Sequence, residues 1–158
     1  MTASPGAATA NEALLSRALF ALAALSILAT AVELAAERHW ETFVQRIPWF
    51  ALVIAAAALV LAATASGPGA IRAARLLAAV IAVFALIGVY KHVEANRESG
   101  PLDFRYSTTW DSMSPSSQWW KAASGAVGPS PVIAPLALAN SAALIAAATL
   151  RHPALGRR

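Results

Sequence analysis

Residues 14–41 read LLSRALFALAALSILATAVELAAERHWE, and the reading of this stretch decides the fold. Between Leu14 and Ala36 only Arg17 and Glu33 carry charge. A helix over these 23 residues is long enough to cross a hydrocarbon core of about 30 Å at about 1.5 Å per residue. A cleaved signal peptide would have a basic start, a short apolar core and a small-residue cleavage site. This run is too long for that, and it predicts an uncleaved membrane anchor.

Composition agrees. The chain has 158 residues, 58% of them hydrophobic and 13% charged, with a mean hydropathy of +0.59. A soluble domain carries about 25% charged residues. Most of a small domain is surface, so an apolar excess of this size must face lipid. The net charge is +4, but the basic residues sit scattered at helix ends. They form no basic face or run, which reads as span orientation and excludes nucleic acid as a partner. The absence of cysteine excludes disulfides, iron–sulfur clusters and thiolate chemistry. The heavy use of alanine points to a GC-rich bacterial genome.

Outward from the first span, His39 to Arg46 reads as a polar turn. A second span follows over about 47–65, with Pro48 in its first turn and Trp49 at interfacial level. Ser66-Gly67-Pro68-Gly69 breaks it. A third span covers about 71–92, a long connection runs over 94–128, and a fourth span covers about 132–150. The fold class expected is therefore all-α: an integral membrane antiparallel four-helix bundle over 13–151 with a structured outer loop. It is flanked by a disordered tail at 1–12 and a basic tail at 152–158. Within the loop, Ser117 to Val127 could form a short interfacial helix carrying Trp119 and Trp120.

Four spans put both termini on one side. Lys and Arg tie at six on each side, but Arg17, Arg72, Arg75, Arg151, Arg157 and Arg158 are packed into fewer residues. That density places the N- and C-termini in the cytoplasm of a bacterial inner membrane.

The side chains able to do chemistry gather where the first span ends. Glu33 and Glu37 are four apart and share a helix face. Parallel first and third spans would bring them level with His92 and Glu94. Glu33, Glu37 and His92, completed by His39 or Glu94, form a candidate metal site for a divalent iron, copper, manganese or zinc ion. The Glu-x-x-His spacing of di-iron bundles is absent. Glu37, His39 and Glu41 are more simply explained as the wet end of a helix, at headgroup level. Glu33 lies about one turn inside the membrane, where an ionisable group costs at least about 2.5 kcal/mol. A haem held by His39 and His92 is a weaker alternative.

Asn140 and Ser141, near the middle of the fourth span, read as hydrogen-bonding glue between helices. Trp110, Trp119 and Trp120 read as interfacial anchors and as candidate residues for docking a partner. The pair Asp103 and Asp111 lacks the ligand run of a calcium loop. No phosphate loop, nucleophile elbow, dinucleotide fingerprint or zinc-protease motif occurs, and no catalytic residue is assigned.

Glu33-x-x-x-Glu37-x-His39, Pro48, Gly88-x-Tyr90-x-His92, Gly128-Pro129 and Ala134-Pro135 together resemble a group of uncharacterised small bacterial four-span membrane proteins. The resemblance implies the fold and the location and carries no activity. Two function classes follow from the residues. One is a non-enzymatic membrane subunit or accessory protein that docks a partner or another copy through its outer face. The other is a Glu/His metal-binding protein with a redox or transport role.

Overall fold

The computed structural model describes residues 5–155, and their side chains from residue 10 onward apart from Pro153. Of the two expected tails, 1–4 and 156–158 lie outside the described residues, while 5–12 form the first turns of a helix. The described residues are helical with no strand: α1 Pro5–Ala36, α2 Phe43–Thr64, α3 Pro68–Ser99, α4 Pro115–Ala123 and α5 Leu136–Ala148, with short 3-10 turns between. Three helical segments are long and apolar enough to cross a membrane: Ala10–Ala36, Phe43–Thr64 and Pro68–Leu102. Their side chains are arranged inside out relative to a soluble protein. Leu22, Leu25, Leu28, Val53, Val60, Leu76 and Leu86 face outward, while Ala51, Ala55, Ala58 and Ala62 of α2 and Ala74 and Ala78 of α3 are buried. Small residues inside let helix backbones approach closely, and large apolar ones outside suit contact with lipid.

The chain divides into two compact units. The first comprises residues 1–84 and 137–158. In it α1 packs on α2, and the connection between them is fully capped. His39 N donates to Leu34 O and Arg38 N to Ala35 O, the paired bonds of a Schellman motif. Arg38 occupies the left-handed position at φ 51°, where glycine is usual. Thr42 and Gln45 then close a capping box at the start of α2. Trp49 Nε1 donates to His39 O and Arg46 Nε to Trp40 O, so these two carbonyls of the turn are met. Helix α2 therefore begins at Phe43, before the expected 47, and Pro48 lies inside it.

Helices α1 and α5 run antiparallel. Ser16 Oγ donates to Ala148 O, while ten residues on Ser26 Oγ donates to Ala137 O. Arg75 Nη2 donates to Thr149 O at 2.6 Å and Nε to Thr149 Oγ1 at 3.2 Å. A guanidinium here meets the orphan carbonyls at the negative end of a helix. Ser16 of α1, Arg75 of α3 and the end of α5 thus share one level. Helix α5 has 13 residues in place of the expected 132–150. Pro135 has no N–H, so the chain before Leu136 closes by i→i−3 bonds, Ala134 N to Pro131 O and Leu136 N to Ile133 O. The last turn tightens in the same way through Thr149 and Leu150.

The second unit is residues 85–136. Its axis is the end of α3, which continues to Ser99, well past the expected 92. Val93, Trp110, Ala122 and Val127 form its core, with Val89, Tyr106, Met113, Trp119 and Val132 packed around them. The expected interfacial helix is α4, starting earlier than Ser117 because Ser114 caps it and Pro115 sits at its first position. It ends in a second Schellman pair, Ala126 N to Lys121 O and Gly125 N to Ala122 O, with Gly125 at φ 70°.

Candidate functional site: the cap around Asn96

The 85–136 unit is a cap folded about one side chain. Asn96 is fully buried. Its Nδ2 donates to Ser130 O at 2.9 Å and to Ala122 O at 3.3 Å, and its Oδ1 accepts from Ser130 N at 2.8 Å. One amide thereby ties α3 to the end of α4 and to the strand of chain leading into α5. Buried polar groups must be paired, and here each partner meets a need of the other. Gly128 makes this possible. It adopts φ 78°, and any Cβ there would overlap Asn96.

A second clamp closes the loop below it. Arg105 donates to the Asp103 carboxylate through Nε at 2.9 Å and Nη2 at 2.6 Å, and Nη2 also reaches Ala126 O at 2.6 Å. These side-chain bonds, then the Arg105 backbone N–H, hold the Asp103 carboxyl down to about 2. The same carboxylate raises the Arg105 guanidinium. Asp103 is therefore engaged by a cation of the chain itself. Lys121 lies over the Tyr106 ring at 4.3 Å, adding a cation–π contact.

The three expected docking tryptophans have different fates. Trp110 is 4% exposed, and its carbonyl accepts from Gln118 Nε2 at 2.8 Å. Trp119 stacks on Tyr90, ring centroids 6.0 Å apart, with the Arg97 guanidinium 5.0 Å from its centroid. Trp110 is thus internal to the cap, while Trp119 is half-buried at its side. Trp120 is 74% exposed. Two residues that the sequence reading passed over stand out further: Leu102 at 86% and Phe104 at 88%. The signal that could have found them is the placing of two large apolar residues beside Pro101 and the Asp103–Arg105 turn, where a loop would ordinarily be polar.

At the other candidate site, Glu33 is exposed on the last turn of α1, Glu37 is exposed just past its end, and His39 is half-buried in the turn beyond. His92 is half-buried on α3. Among the described residues, no group of three or more His, Asp or Glu side chains is placed to hold a metal ion. Asn140 and Ser141 do act between helices, since both donate to Ser26 Oγ, at 3.3 and 3.0 Å.

No family model, curated protein or solved structure matches the chain.

Proposed function

We propose that this chain is a small non-enzymatic subunit or accessory protein of a bacterial inner membrane, which docks a protein partner through its cap. In this reading α1, α2, α3 and α5 form an antiparallel four-helix bundle, the arrangement of the bacterial family that the sequence motifs resemble. The antiparallel hydrogen bonding of α1 with α5 supports it. Arg17, Arg72, Arg75 and Arg151 fall toward the end of the helices at which α5 finishes, which supports a cytoplasmic placing of that end. The 32 residues of α3 make a helix of about 48 Å against a hydrocarbon core of about 30 Å. Charge resumes at Lys91, so the last turns of α3 leave the membrane on the outer side.

The observation that carries the proposal is the combination of a preorganised cap with exposed Leu102, Phe104 and Trp120. Large apolar side chains held on a rigid surface are the anchors from which protein interfaces draw most of their binding energy. Rigidity lowers the entropy lost on association. Arg105 and Lys121, half in water beside them, supply the polar rim. The test is a photoreactive residue placed in turn at Leu102, Phe104 and Trp120 in cells. One dominant protein adduct common to these positions is expected. Adducts to lipid alone, or scattered adducts with no shared protein, would sink the proposal.

A further inference from the structure

Asn140, near the middle of α5, is a polar side chain whose hydrogen-bonding needs the described residues meet only in part. It lies on the outward face of α5, and its Nδ2 donates one bond, to Ser26 Oγ at 3.3 Å. Ser26 has nothing more to give, since its hydroxyl already donates to Ala137 O and accepts from both Asn140 and Ser141. A carboxamide has two N–H donors and an oxygen with two lone pairs. One N–H and the whole oxygen of Asn140 are left without a partner among the described residues. They open onto a groove of about 360 Å³ between α1 and α5, lined by Leu22, Leu25, Ser26, Ala29 and Leu144.

Depth decides what can fill that groove. Ser26 lies within one turn of the middle of the apolar segment Ala10–Ala36, out of reach of headgroups and of bulk water. Acyl chains offer no hydrogen bond, and an unpaired polar group in hydrocarbon is costly. The occupant must therefore present both a donor and an acceptor at mid-membrane depth. We propose that the occupant is a second copy of this chain, with Asn140 meeting Asn140 about a two-fold axis along the membrane normal. A carboxamide is complementary to itself. Across such an axis the free N–H of each Asn140 donates to the free oxygen of the other, consuming the two functions left over. The symmetry places both amides at the same depth without further adjustment, as an isologous contact requires. Ala29 gives room for close approach, and outward Leu22 and Leu25 supply the packing around the polar pair. A single polar residue in an otherwise apolar helix seam is a known way to fix register and copy number.

This inference rests on α5 lying in the membrane, as proposed above, and the experiment separates the two. The chain has no cysteine, so Leu144→Cys introduces a single thiol beside the groove in the full chain. Protection of that thiol from a membrane-impermeant maleimide in native vesicles tests the placing of α5. Labelling there would overturn the span and the pairing together. Given protection, mild oxidation should yield a disulfide-linked homodimer, whereas Leu76→Cys on the outward face of α3 should not. Adding Asn140→Ala should cut the dimer yield at least tenfold, and Asn140→Gln, which keeps the carboxamide, should restore much of it. Monomer alone from Leu144→Cys would overturn the pairing. So would a dimer indifferent to Asn140→Ala, or an adduct with a different protein. Retained helical circular dichroism in the variants separates lost pairing from lost fold, since Ser141 still bonds Ser26.

Discussion

Replacing Asn96 by alanine should open the cap while leaving the membrane helices in place. The side chain makes three hydrogen bonds from a fully buried position. A buried bond contributes a net of about 1 kcal/mol, so the three together come to about 3 kcal/mol. The carbonyls of Ala122 and Ser130 and the Ser130 N–H would lose their partner inside a structure with little room for water. The loss is local, because unfolding of one segment need not involve the whole molecule. Amide hydrogen exchange over 122–130 in nanodiscs reads it directly. At 1.4 kcal/mol per tenfold, exchange there should quicken roughly a hundredfold, with α1 and α2 unchanged. Asn96→Asp is the sharper control. Its carboxylate still accepts from Ser130 N, but it cannot donate to either carbonyl, and it brings a charge into a dry site. It should open the cap at least as far as alanine does. Exchange within threefold of wild type in both variants would refute the view that Asn96 organises this unit.

Arg38→Gly should stabilise the chain by about 1 kcal/mol, because glycine adopts the left-handed C′ position without the steric cost that Arg38 meets there. Its exposed pair with Glu41, at 3.6 Å, contributes little to set against that. Thermal unfolding in detergent checks it, and a lowered midpoint would show that the side chain matters more than the backbone. The Asp103–Arg105 clamp should respond to acid. Asp103 has a folded-state pKa of about 2, below the ordinary value of about 3.9. Its contribution is therefore complete above about pH 4 and is lost as pH falls toward 2. The Arg105 Nε–H resonance should titrate with a midpoint near that lower value. A midpoint near 4, or an unchanged titration in Asp103→Asn, would mean the clamp does not form.

The reach of the sequence was set by what kind of force builds each part. Transfer into lipid depends on composition and length, which is why three long apolar helices could be read from the chain, although α1 begins at Pro5 where 14 was expected and α3 runs to Ser99 where 92 was expected. Helix ends outside lipid depend on hydrogen bonding between particular side chains and backbone groups. Thr42-x-x-Gln45 was legible as a capping box, and reading it would have moved the start of α2 from 47 to 43. Arg38 was not legible, because nothing local marks an arginine for a position that glycine usually takes. The extension of α3 to Ser99 was hidden for a different reason. Charged residues after Lys91 look like the end of a span, yet they suit a helix that continues into water, and only its packing against Ala122 and Val127 shows that it does.

The same division explains the candidate sites. Grouping Glu33 and Glu37 used spacing along one helix, which fixes a shared face and leaves the distance to His92 or any other element open. Sorting the tryptophans by type made Trp110, Trp119 and Trp120 equivalent, whereas burial separates them: one is core, one is stacked under Arg97, one is free. Asn96 was given no role because a lone asparagine near a helix end is ordinary in sequence. Its importance comes from residues 26 and 34 positions away, Ala122 and Ser130. Gly128 is the half of that contact which the sequence did display, beside Pro129. A glycine held at φ 78° against a buried amide serves to let another residue approach, so the cap is encoded jointly by the two positions. Substitution at Gly128 should therefore mimic loss of Asn96, and the two changes together should be less than additive, as for residues sharing one contact.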